Sequence, residues 1–142
     1  MEEKDRSWCS SSRSNDHRAI TIEVASDTKH PYKVTDQALA ALIDLLVDIC
    51  RRNGIKALLW KGDKSLIDQV DKQNMTVHRW FANKACPGDY LYNLHPQIAA
   101  QVNERLGAAV PSEPEKKPDQ TPSGATFTPY LVRFKAIKLA MF

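Results

Sequence analysis

The sequence predicts an α/β domain, and three observations carry that prediction. Residues 19–25 alternate apolar and polar side chains, residues 35–53 carry a long helical repeat of apolar positions, and a second helical repeat stops at Gly107. Strands and helices that alternate along a chain pack as a sheet with helices laid against it. At 142 residues and a 42% hydrophobic fraction, the chain is long enough for one domain with a modest core.

Residues 1–18 are polar, with Ser10, Ser11, Ser12 and Ser14 clustered, and read as a loop. In residues 19–25, Ile20, Ile22 and Val24 share one face of a strand, with Thr21 and Glu23 on the other. Thr35 is placed to cap the helix that follows, and Asp36 suits its positive end. Leu39, Leu42, Ile43, Leu46, Ile49 and Cys50 form the buried face of that helix. Arg51 and Arg52 suit its last turn, and Gly54 stops it. Residues 56–60 are a short strand candidate, residues 61–74 a polar loop, and residues 75–81 a third strand candidate. A last helix is expected to begin near Pro96, with Ile98, Val102 and Leu106 on one face. Residues 108–126 alternate Pro111, Pro114, Pro118 and Pro122 with charges and read as an extended linker. Residues 127–142 form a separate apolar and basic segment, too short for a core of its own.

The net charge of +3, from 20 basic and 17 acidic residues, is too weak to argue for nucleic acid, yet does not repel an anionic cell wall. No apolar run approaches the roughly 20 residues that span a bilayer. The charged opening residues lack the apolar stretch of a signal peptide, so the chain reads as made in the cytoplasm. Three widely spaced cysteines, Cys9, Cys50 and Cys86, make a poor disulfide framework and suit a reducing compartment.

The chemistry concentrates around residues 76–90. His78 and Cys86 stand eight residues apart across a turn-prone segment, and imidazole and thiolate are both good zinc ligands. Pro87 and Gly88 bend the chain just after the sulfur. Lys84, two residues before Cys86, shares its face in extended backbone, where a cation stabilises charge on a carbonyl oxygen under attack. By spacing alone, a buried Cys and a surface His account for the same pair. Glu23 has two readings as well, a carboxylate for proton transfer or a surface acid on an edge strand. Trp80, Tyr90 and Tyr92 are candidate sugar-stacking surfaces, although aromatics near a strand are more often core.

Two strings, SNDHRAITIEVA over residues 14–25 and MTVHRWFANKACPGDYLY over residues 75–92, resemble the type 2 N-acetylmuramoyl-L-alanine amidases. These share the peptidoglycan recognition fold and include phage endolysins and prophage autolysins. The resemblance covers roughly residues 1–107, which would be the amidase domain. It implies a mixed central β-sheet flanked by helices, a resident zinc, and peptidoglycan as partner. By the match, His78 is the second histidine ligand of the zinc and Cys86 the third ligand. Lys84 stabilises the tetrahedral intermediate, and Glu23 activates the attacking water. The bond cut lies between the lactyl group of N-acetylmuramic acid and L-alanine of the stem peptide, so the protein would act on the cell wall once released.

The resemblance is incomplete. The family's first histidine ligand has no match here, and the chain is expected to enter the domain after its first strand. His17, which has the strand parity of Glu23, and Cys9 are the candidate substitutes, while His30 and His95 read as loop and helix-start residues. Residues 128–134 look like the opening strand of an SH3-like wall-binding module. Two alternatives to an active enzyme therefore stand: a peptidoglycan-binding module that does not cut, and an inactive prophage remnant. With two ligands, weak zinc binding and impaired activity are expected.

Overall fold

A computed structural model describes Asp5, residues 7–108 and the backbone of Ala136–Ala140. Three strands, β1 (Ala19–Glu23), β2 (Met75–Val77) and β3 (Ala136–Ala140), form one parallel sheet in the order β1-β3-β2. The helices are α1 (Arg13–Asp16), α2 (Asp36–Arg52) and α3 (Gly88–Leu106). This mixture of helices and strands is compatible with the α/β class expected from the sequence. The expected mixed sheet is instead all parallel among the described residues. The middle strand is Ala136–Ala140, which lies in the segment that the sequence sets apart at 127–142. The remainder of that segment and residues 109–126 of the expected linker lie outside the described residues.

One face of the sheet is apolar. Ile20, Ile22 and Met75 join a core with Leu42, Leu46, Ile49 and Cys50 of α2 and Leu91, Ile98 and Val102 of α3. Each such fully buried aliphatic side chain contributes on the order of 2 kcal/mol. The α2 helix starts and stops where its sequence says. The Thr35 side chain accepts a hydrogen bond from the Ala38 amide at 3.2 Å, and Gly54 takes a φ of +66° just past the C-terminal cap Asn53.

The other elements depart from expectation for local reasons. Residues 56–60 form no strand, and side-chain amides supply much of what a neighbouring strand would. Asn103 accepts from the Leu58 amide at 2.7 Å and donates to its carbonyl at 2.9 Å. Asn74 does the same for Leu59 N–H and Ala57 C=O, both at 2.8 Å. The strand expected over residues 75–81 ends at Val77, and a 3-10 turn, His78–Trp80, follows. The last helix begins at Gly88, not near Pro96, which lies inside it. Leu91 and His95 continue the buried row of Ile98 and Val102 backwards by helical steps, so burial carries the helix through the proline. Pro96 has no amide to give the Tyr92 carbonyl. The His95 ring lies beside this gap, against the neighbouring Leu91 carbonyl, Nδ1 to O 2.7 Å.

The polar opening loop is a built feature. Ser12 caps α1, and Ser10, fully buried, gives Asp16 Oδ1 a backbone bond at 3.0 Å and a hydroxyl bond at 2.5 Å. Among the described residues, no helix is long and apolar enough to cross a membrane.

Candidate functional site

The second face of the sheet is polar, and the N-terminal loop covers part of it. Thr21 of β1 meets the Ser7 hydroxyl at 2.7 Å, and Thr76 of β2 donates to Asn15 Oδ1 at 3.3 Å. Alternation along β1 puts Glu23 on this same face, one step beyond the covered part. Glu23 pairs in register with Ala140, and Val77 pairs with Leu139. His78, directly after Val77, thus follows at the level of Glu23. Two interstrand spacings separate their backbones, roughly 10 Å. Glu23 is exposed, whereas His78 is buried at 4% exposure. A shallow cleft of about 230 Å³ opens beside Glu23, between the end of β1 and Ala38, Ala41 and Leu45 of α2.

A tight turn brings Cys86 back to His78. The Phe81 and Ala82 amides donate to the His78 carbonyl at 2.9 and 3.3 Å, and the Arg79 amide donates to the Cys86 carbonyl at 3.0 Å. The residues flanking this last bond put imidazole and thiol on adjacent stretches of backbone. Cys86 is half-buried and Lys84 exposed on the outside of the same turn. The Arg79 guanidinium ties the turn to α3: it donates to the Ala85 carbonyl at 2.8 Å, pairs with Asp89 at 2.9 Å, and lies 4.9 Å from the centre of the Tyr92 ring.

Imidazole and thiolate are donors that zinc takes readily. Among the described residues, no three His, Cys, Asp or Glu side chains cluster closely enough to hold a metal ion. The candidate substitutes do not join the pair. His17 is exposed and ends α1 instead of standing on a strand, so its strand parity with Glu23 does not apply. Cys9 lies half-buried in the preceding loop.

Of the three aromatic residues read as sugar platforms, Trp80 is buried and Tyr90 and Tyr92 are partly buried. Trp80 is 7% exposed and stacks on Trp60, with ring centres 5.2 Å apart and planes at 5°. Tyr90 is partly buried against the hydrophobic core. One face of Trp80 is thus taken by Trp60. Nothing in the sequence marked Trp60 as the partner of Trp80. Trp60 also touches Tyr92 at 5.5 Å and His95 at 4.4 Å between ring centres. The helical spacing of Leu91, His95, Ile98 and Val102 was the available signal for His95. It is fully buried in mid-helix and is not a helix-start residue. Nothing local marked Arg79, whose role depends on a turn that closes only in three dimensions.

The family model of N-acetylmuramoyl-L-alanine amidase matches residues 1–89, a stretch that includes Glu23, His78, Lys84 and Cys86. No curated protein and no solved structure shows significant similarity to the chain. On the strength of a match that covers more than half of its length, the chain belongs to the N-acetylmuramoyl-L-alanine amidase family, type 2.

Proposed function

We propose that the chain is a zinc-dependent N-acetylmuramoyl-L-alanine amidase, acting on the amide between the lactyl group of N-acetylmuramic acid and L-alanine of peptidoglycan. The observation that carries this reading is the Arg79 N–H to Cys86 C=O bond, which returns the thiol-bearing residue to the side of His78. In this reading His78 and Cys86 hold the zinc. When bound, the ion polarises the amide carbonyl and lowers the pKa of a water to about 7. Glu23 takes the proton of the attacking water and returns one to the departing L-alanine nitrogen. Lys84 holds the negative charge that gathers on the carbonyl oxygen. The position of Glu23 in register with the end of β2 supports its share in this work.

Among the described residues no third donor joins His78 and Cys86, and two donors hold zinc loosely, so activity of these 142 residues alone is expected to be low. A loosely held ion also misplaces the attacking water, and about 1 Å of misplacement can lower a rate a hundredfold. The test is release of new L-alanine amino groups from purified bacterial cell walls, with and without added zinc. Slow release that rises with zinc, stops with chelator and disappears in Cys86→Ala and Glu23→Gln is expected. Robust release without added zinc would overturn the two-donor account. Absence of release at every zinc concentration, with wall sedimentation intact, would favour a second reading: a peptidoglycan-binding module that does not cut. That reading draws on the absence of a third donor among the described residues.

A further inference from the structure

The geometry points to Arg79 as a positioning residue: it fixes the backbone of Cys86 beside His78 and so sets where the thiol sits. The inference rests on the zinc reading above for its purpose, but not for its geometry. Four contacts converge on this one residue. Its amide donates to the Cys86 carbonyl at 3.0 Å, and its guanidinium donates to the Ala85 carbonyl at 2.8 Å. Arg79 therefore grips both peptide groups that flank the Cys86 α-carbon. The other end of the fork pairs with Asp89 in the first turn of α3 at 2.9 Å, and the guanidinium plane lies over Tyr92 one turn further on.

The three side-chain contacts need the fork. A guanidinium presents several donors in one rigid plane, so it reaches a carbonyl and a carboxylate at once while stacking on a ring. A lysine ammonium keeps the charge but cannot span all three. The Arg79–Asp89 pair is asymmetric: the arginine side chain is 26% exposed and the aspartate 82%. Asp89 is thus a solvated anchor of modest worth. The bonds to the two carbonyls do the positioning, that to Ala85 through the side chain and that to Cys86 through the backbone amide. The turn itself supplies Lys84 N–H to Ala82 C=O and Gly88 N–H to Ala85 C=O, both at 2.8 Å. These set its shape, while Arg79 ties that shape to β2 and α3.

Two measurements on the full chain test this, with Arg79→Lys, Arg79→Met and, as a control, Arg105→Met, whose salt bridge to Asp44 is remote and exposed. The first is titration with cobalt(II), followed by the thiolate-to-cobalt charge-transfer band, in a Cys9→Ser background. The second is amide hydrogen exchange of the metal-free protein. Removal of residues that orient metal ligands weakens binding about 10–100-fold. Both Arg79 variants should show a loss in that range, together with faster exchange of the Arg79 amide and of residues 82–88. Arg105→Met should match the parent in both. Unchanged cobalt affinity in Arg79→Met, or full rescue by lysine, would overturn the inference. If the parent itself gives no thiolate band, the zinc reading fails. The exchange data then stand alone: unaltered exchange across residues 82–88 overturns the clamp, and faster exchange upholds it.

Discussion

Acidification from pH 7 to pH 5 is expected to weaken the fold by roughly 2 kcal/mol through one side chain, His95. The perturbation is the protonation of a ring that has no exposed surface. Because the Leu91 carbonyl can only accept, the His95 nitrogen bonded to it, Nδ1, carries the hydrogen. The proton taken up on acidification must therefore go to Nε2, which is buried and has no hydrogen-bond partner among the described residues. Burial is the main force that lowers the His95 pKa from 6.5 to about 4. The carbonyls of Leu91 and Tyr92 oppose it, and the nearby Arg79 charge adds to it. A lowered pKa means that the unfolded chain binds the proton first. The contribution is whole above pH 6.5, shrinks as pH falls, and is gone below about 4. At 1.36 kcal/mol per pKa unit the full loss is about 3 kcal/mol, most of it reached by pH 5, where exposed carboxylates are still largely charged. The assay is urea unfolding at a series of pH values between 7 and 4.5, for the parent and for His95→Asn. Asparagine places an amide donor near the Nδ1 position but cannot be protonated. It should lose stability at pH 7 from the missing ring contact with Trp60, and then lose far less on acidification than the parent does. Parallel stability curves for the two proteins would refute the reasoning.

Other outcomes follow from the same geometry. Asn103→Ala strips both partners from the Leu58 backbone inside the core, so a loss of about 3 kcal/mol in urea unfolding is expected; Asn103→Asp, which keeps the acceptor alone, should fall between. Thr35→Ala removes the cap of α2 and should lower stability by about 1 kcal/mol, with Thr35→Asp close to the parent in the same measurement. Burial pushes the Cys50 thiol up to about 11, so it should resist a disulfide reagent in the native protein and react only on unfolding, while Cys9 and Cys86, both partly exposed, react first. A native-state titration that counts three fast thiols would contradict the assigned burial.

The sequence by itself determined the parts whose causes are local. The α2 helix was legible from end to end, because Thr35, Asp36, the apolar face and Gly54 all act within a few residues of where they stand. Strand β1 and its two faces came from simple alternation, and the family came from two strings around Glu23 and His78. The tertiary structure decided what depends on partners far away in sequence. Residues 56–60 have the composition of a strand, but Asn74 and Asn103 satisfy their backbone in place of a sheet neighbour. Pro96 has every local mark of a helix start, yet α3 runs through it because Leu91 and His95 bury against the core and the His95 ring lies at the carbonyls near the missing amide. Spacing could name His78 and Cys86 as candidates, but only the folded turn, held at Arg79, sets one beside the other. The level that Glu23 shares with His78 is likewise a matter of register through β3, a strand more than a hundred residues after β1. Helix caps and alternation act over a few residues, whereas backbone satisfaction and register are settled by whichever groups the whole fold brings into reach.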